Sequence, residues 1–142
     1  MRQKEQIYQL LEKRKGTLSR KEALNTGVNP NALKRMLDAG EVYSPIPGIL
    51  VQNNRLEDTY YSRQQVFTRG IYSLESALVL HDLTDLIPKY YVMTFPRGYR
   101  NPNLSKYHIK GIYKSMEIYE LGIEKMLSAQ GNPIKVYNLE RT

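Results

Sequence analysis

Three short segments of helical periodicity followed by a hairpin signal occupy residues 3–51 of this 142-residue chain. That order leaves few architectures for so short a stretch. Ile7, Leu10 and Leu11 make one apolar stripe and predict a helix from Gln3 to Arg14. Lys13-Arg14-Lys15-Gly16 ends it, with cations in the last turn and glycine beyond. Ser19-Arg20-Lys21-Glu22 predicts a capping box at the start of a short second helix, stopped by Asn25-Thr26-Gly27. Asn29-Pro30 opens a third helix, since Asn is a good N-cap and Pro suits the first helical position. Gly40 closes it. Leu33, Met36 and Leu37 are its expected core stripe, which turns Asn31, Lys34, Arg35 and Asp38 outward.

Glu41 to Ser44 and Ile49 to Val51 are β-rich runs around Pro45-Ile46-Pro47-Gly48. Three helices and a hairpin predict a winged helix-turn-helix over residues 1–56, with Gln52 to Arg55 as a polar linker. The wing turn has no cation, which weakens the case for its insertion into a minor groove; the alternative is that Ile46 packs it on the second domain.

Residues 57–142 are expected to form an α+β domain with a mostly antiparallel sheet. Asp58 to Thr68 and Leu74 to His81 read as helices, the latter capped by Ser73. Strand signals follow at Tyr90 to Phe95, Tyr107 to Tyr113, Met116 to Tyr119, Gly122 to Leu127 and Ile134 to Tyr137.

Charge separates the two parts. Residues 1–56 hold ten basic and five acidic side chains, whereas residues 57–142 hold eleven and nine. A basic N-terminal part points to a nucleic-acid element there. In a helix-turn-helix the second helix of the motif enters the major groove, where Asn pairs with adenine and Arg with guanine. Asn31, Lys34 and Arg35 are therefore the expected base-reading residues, against the alternative of an ordinary solvated face. Arg20 and Lys21, at a helix start, are expected to hold phosphates, unless they are surface charge alone. The near-balanced second part is not expected to bind DNA on its own, although Arg97, Arg100, Lys106 and Lys110 lie close enough in sequence to form a basic patch.

Enzyme signals are poor. The chain has no Cys and only two His, His81 and His108, which excludes thiol chemistry and a His-rich metal site. None of the fourteen carboxylates has Lys two residues later, the spacing a restriction-type nuclease needs. Gly98, Gly111, Gly122 and Gly131 are isolated and read as turns, not as a phosphate cradle. His81 and His108 read as capping or core residues. The twelve Tyr are expected mostly in a small core, with Tyr90, Tyr91, Tyr107 and Tyr113 as an alternative partner surface. No catalytic residue, metal or cofactor is expected, and the polar N-terminus predicts no signal peptide.

Several segments together resemble the AbiEi family of antitoxins. They are Gly40-Glu41-Val42-Tyr43 leading to Pro47-Gly48-Ile49-Leu50, Tyr72 to Leu78, His81-Asp82-Leu83-Thr84-Asp85 with Pro88, Val92 to Gly98, and Asn138 to Thr142. The resemblance implies a cytoplasmic winged helix-turn-helix joined to an antitoxin domain. It implies repression of the protein's own operon at inverted repeats, and counteraction of a nucleotidyltransferase-like toxin in abortive infection and phage defence. In the family the closing Glu-Arg-Thr run continues into further helices, so this chain is expected to be a shortened member or a fragment. A protein-interaction module, with the winged helix docking a partner protein, is the alternative function.

Overall fold

The computed structural model describes residues 2–84 and 88–138; Asp85 and the Leu139 to Thr142 segment of the family resemblance lie outside the described residues. The chain forms two compact units. The first comprises Met1–Val66 with Ala129–Asn132, and the second Phe67–Ser128 with Pro133–Thr142.

The first unit runs α1 (Arg2–Lys13), β1 (Thr17–Ser19), α2 (Arg20–Asn25), α3 (Pro30–Asp38), β2 (Val42–Tyr43), β3 (Ile49–Gln52) and α4 (Thr59–Val66). The three helices and the hairpin stand where the sequence puts them. β1 was not legible there. It pairs antiparallel with β3, Thr17 opposite Val51 and Ser19 opposite Ile49, and completes a sheet of order β1-β3-β2. Ile7, Leu11, Leu18, Leu33, Met36 and Leu50 fill the core between sheet and helices.

Gly16 makes the turn from α1 to β1 at φ +95, a left-handed conformation natural to glycine. Any Cβ there would collide with the Arg55 side chain. The polar segment 52–55 is therefore no free linker: Gln52 N also donates to Gly16 O at 2.9 Å and Asn53 N to Glu41 O at 3.1 Å. The unit also continues past the expected boundary at 56/57. Asp58 N donates to Thr17 Oγ1 at 2.9 Å, and Asp58 Oδ1 receives Tyr61 N at the start of α4. Asn132 Nδ2 reaches both Arg14 O and Asp58 Oδ2. A charge boundary and a packing boundary thus differ, because α4 is tied to β1 by buried polar contacts that carry no compositional mark.

The second unit runs β4 (Ile71–Tyr72), α5 (Leu74–Leu80), β5 (Tyr91–Pro96), a 3-10 turn (Ser105–Tyr107), β6 (Ile109–Lys114), α6 (Met116–Tyr119), β7 (Ile123–Leu127) and β8 (Pro133–Tyr137). The α+β class is as expected. Its sheet, of order β6-β5-β4-β8-β7, is mixed rather than mostly antiparallel: β5 pairs with β6 and β4 with β8 in parallel, while β4–β5 and β7–β8 are antiparallel. Met116 to Tyr119 is a helical turn, not a strand; its alternating pattern is overridden by the i to i+4 bond from Tyr119 N to Ser115 O. Gly111 lies within β6, not in a turn, and His108 precedes that strand at φ +62.

Hydroxyl groups brace this unit. Ser73 stands at the N-cap of α5, but its Oγ accepts from Thr94 Oγ1 at 2.9 Å instead of capping the helix. Ser76 Oγ accepts Val92 N at 2.7 Å, and Tyr137 Oη donates to Tyr119 O at 2.6 Å. Tyr72, Tyr119 and Tyr137 are buried, whereas Tyr90 and Tyr113 are exposed. His81 caps the C-terminus of α5, with Nε2 2.9 Å from Tyr137 O, as its structural reading required.

Candidate nucleic-acid interface

The outward face of α3 starts from its cap. Asn29 Oδ1 accepts Asn31 N at 2.8 Å, and Pro30 has no amide hydrogen to offer. Asn29 N is bound in turn by Gln3 Oε1 at 2.6 Å, and Gln6 Nε2 donates to Thr26 O at 3.0 Å. Helix α1 thereby fixes the turn that leads into α3. Sequence reading missed Gln3, because a contact spanning 26 residues leaves no local signature.

With its first amides satisfied from Asn29, α3 presents a ligand with side chains only. Asn31, Lys34, Arg35 and Asp38 are all exposed, as their spacing predicts. The buried side is turned by one position: Ala32, Leu33 and Met36 are buried, and Leu37 is 38% exposed. Leu37 was expected in the core. The small side chain of Ala32 occupies that side instead, leaving Leu37 beside the basic face.

Ion pairing divides the cations of this unit. Arg14 holds Glu22 with Nε 2.9 Å from Oε1 and Nη2 2.8 Å from Oε2. Its guanidinium lies 5.8 Å from the Tyr61 ring centroid. The hydrogen bond to Glu22 holds the Arg14 pKa above its usual value, and burial pushes the Tyr61 phenol up to about 12. Glu22 therefore does not complete the expected capping box; only the Ser19 half forms, with Glu22 N donating to Ser19 Oγ at 3.1 Å. Lys4 pairs with Glu41, which raises its pKa, and Arg55 lies 3.3 Å from Glu12.

Arg20, Lys21, Lys34 and Arg35 are exposed and make no ion pair among the described residues. Cations without a carboxylate partner are free to meet phosphate oxygens and base edges. Arg35 also lines a groove of about 370 Å³ with Gln3, Lys4, Ala32 and Met36.

Arg20 and Lys21 offer less than a helix start would suggest. Arg20 N donates to Gly48 O at 2.8 Å, so the first amide of α2 is taken by the wing turn. Their side chains remain available. In the wing, Ile46 is buried and Tyr43 is 42% exposed. No group of three or more His, Asp or Glu able to hold a metal occurs among the described residues, and no described helix is long and apolar enough to cross a membrane.

The order α1-β1-α2-α3-β2-β3, with a basic outward face on α3, is the setting in which the family comparison falls. Residues 5–51, about a third of the chain, match the model of a family described as a transcriptional regulator, AbiEi antitoxin. No curated protein matches the chain. The matched span begins in α1 and ends in β3, so it contains all five candidate contact residues. From Tyr72 onward the resemblance to that family rests on sequence motifs alone.

Proposed function

We propose that the first unit is a winged helix-turn-helix and that the protein is a DNA-binding transcriptional repressor. The observation that carries this reading is the bare basic face of α3, Asn31, Lys34 and Arg35, on the element that such a fold lays in the major groove. The family match over residues 5–51 supports it. Asn31 and Arg35 read base edges, Lys34 reads a base or a phosphate, and the Arg20 and Lys21 side chains hold the backbone. The sites are inverted repeats in the protein's own promoter, one copy of the chain on each half-site.

We further propose that the protein is a cytoplasmic antitoxin, acting by binding and not by catalysis, within an operon that encodes a nucleotidyltransferase-like toxin and serves abortive infection of phage. The second unit carries that activity. A toxin reading frame beside the gene would support this part.

A salt titration of binding to promoter duplex tests the DNA reading. Each phosphate contact releases counterions, so affinity is expected to fall steeply and linearly on a log–log scale, by about 0.9 in slope per contact. A flat dependence would point to the winged helix as a docking module for a protein.

A further inference from the structure

The segment joining β5 to the 3-10 turn encloses an open cleft of about 620 Å³ lined by Arg97, Gly98, Tyr99, Arg100, Asn101, Pro102 and Tyr113. No carboxylate among the described residues lines it. Arg97 and Arg100 are exposed and have no ion-pair partner among the described residues.

The rings are held in place. Tyr99 stacks on the buried Phe95 at 4.3 Å between centroids and 10° between planes. Tyr113 stacks on Phe95 at 6.1 Å and is 44% exposed. Tyr113 crosses Gly111, where a Cβ would meet its Oη at 2.9 Å; the absence of a side chain at 111 makes room for the ring. The loop is braced by Arg97 N on Lys114 O at 2.7 Å and Asn103 N on Asn101 Oδ1 at 2.9 Å. Of the basic patch suggested by sequence, Lys106 and Lys110 do not line the cleft, and Lys106 Nζ lies 5.6 Å from the Tyr107 ring centroid.

We propose that this cleft binds single-stranded nucleic acid, seating one unstacked base on Tyr113 and its flanking phosphates on Arg97 and Arg100. Guanidinium forks match phosphate oxygens in pairs, and an exposed tyrosine face accepts any base. A duplex hides its base faces, so the site selects an open strand. A free nucleotide has the same chemistry but only one phosphate-bearing unit, and it binds more weakly.

The test uses the full chain carrying Lys34→Ala and Arg35→Ala, which removes the proposed duplex-reading face and separates the two sites. Anisotropy of a short labelled oligouridine, with uridine monophosphate and an unlabelled duplex as competitors, reads the affinity. Binding should persist in this background at low salt. It should fall about tenfold or more on adding Arg97→Ala and Arg100→Ala, and about fivefold or more with Tyr113→Leu, in the range of a lost base stack. Tyr113→Phe keeps the ring and should keep the affinity, which separates stacking from misfolding. The oligomer should be displaced by unlabelled oligouridine in preference to the mononucleotide or the duplex. Undiminished binding in the arginine variant, equal loss in Tyr113→Phe and Tyr113→Leu, better competition by the duplex, or no binding at low salt would overturn the proposal.

Discussion

The two units lean on different bracing contacts, although Thr17 Oγ1 on Asp58 N adds a buried hydroxyl to the first and His81 beside Glu124 a polar pair to the second. In the first, Arg14 pairs with Glu22, Arg63 with Glu57 and, at the surface, Arg55 with Glu12, while the cations on α2 and α3 make no ion pair among the described residues. In the second, buried hydroxyls do the bracing: Ser76 on Val92 N, Thr94 on Ser73, Tyr137 on Tyr119 O. Lys34 and Arg35 face solvent and make no ion pair among the described residues. In the second unit Arg97 and Arg100 are also exposed, beside tyrosine rings.

The largest expected effect concerns the helix that separates buried from bare faces. Leu33→Ala should destabilise the first unit by about 2–5 kcal/mol, since Leu33 is 2% exposed. Leu37→Ala, at 38% exposure, should cost less than about 1 kcal/mol. Urea midpoints of the two variants decide this; equal losses would restore the stripe that periodicity predicts and turn the basic face away from the orientation described.

Next comes the ion-pair side of the contrast. Arg14→Ala strips Glu22 of three hydrogen bonds in a part-buried setting and should cost about 1.5–3 kcal/mol. Adding Glu22→Gln should recover part of the loss, because the stranded charge is removed. A double variant as unstable as the sum of its parts would show that the pair does not act as a unit.

Most of the first unit was legible because its signals are local. Ser19 and Asn29 cap the helices they precede, and Gly16 and Gly40 end the helices before them. What escaped was non-local: β1 is three residues long and exists through β3, and Gln3 reaches Asn29 across the fold. Local rules also failed where a distant partner competed for the same group. Glu22 left its capping box for Arg14, and Ser73 left its cap for Thr94. The mixed sheet was hidden for the same reason, since strand order is settled by pairing and not by period. Of the candidate contacts, exposure was readable from spacing, but the lack of ion partners was not.

A further stability effect tests the hydroxyl side. Ser76→Ala removes the buried acceptor of Val92 N and should cost about 1–3 kcal/mol. Chemical denaturation of this variant, with hydrogen exchange at the Val92 amide, checks it; unchanged exchange and stability would mean that hydroxyl bridges do not brace this unit.

The bare face of α3 is the centre of the account, and binding of promoter duplex by the Lys34→Ala, Arg35→Ala double variant tests it most directly. Both side chains are exposed and make no ion pair among the described residues, so thermal unfolding should match the unmodified protein within about 0.5 kcal/mol. Each lost base contact is worth about 1–3 kcal/mol, so specific binding should disappear while weak, salt-sensitive association persists. A folded double variant that keeps full affinity for the promoter would contradict the assignment of α3 as the reading helix.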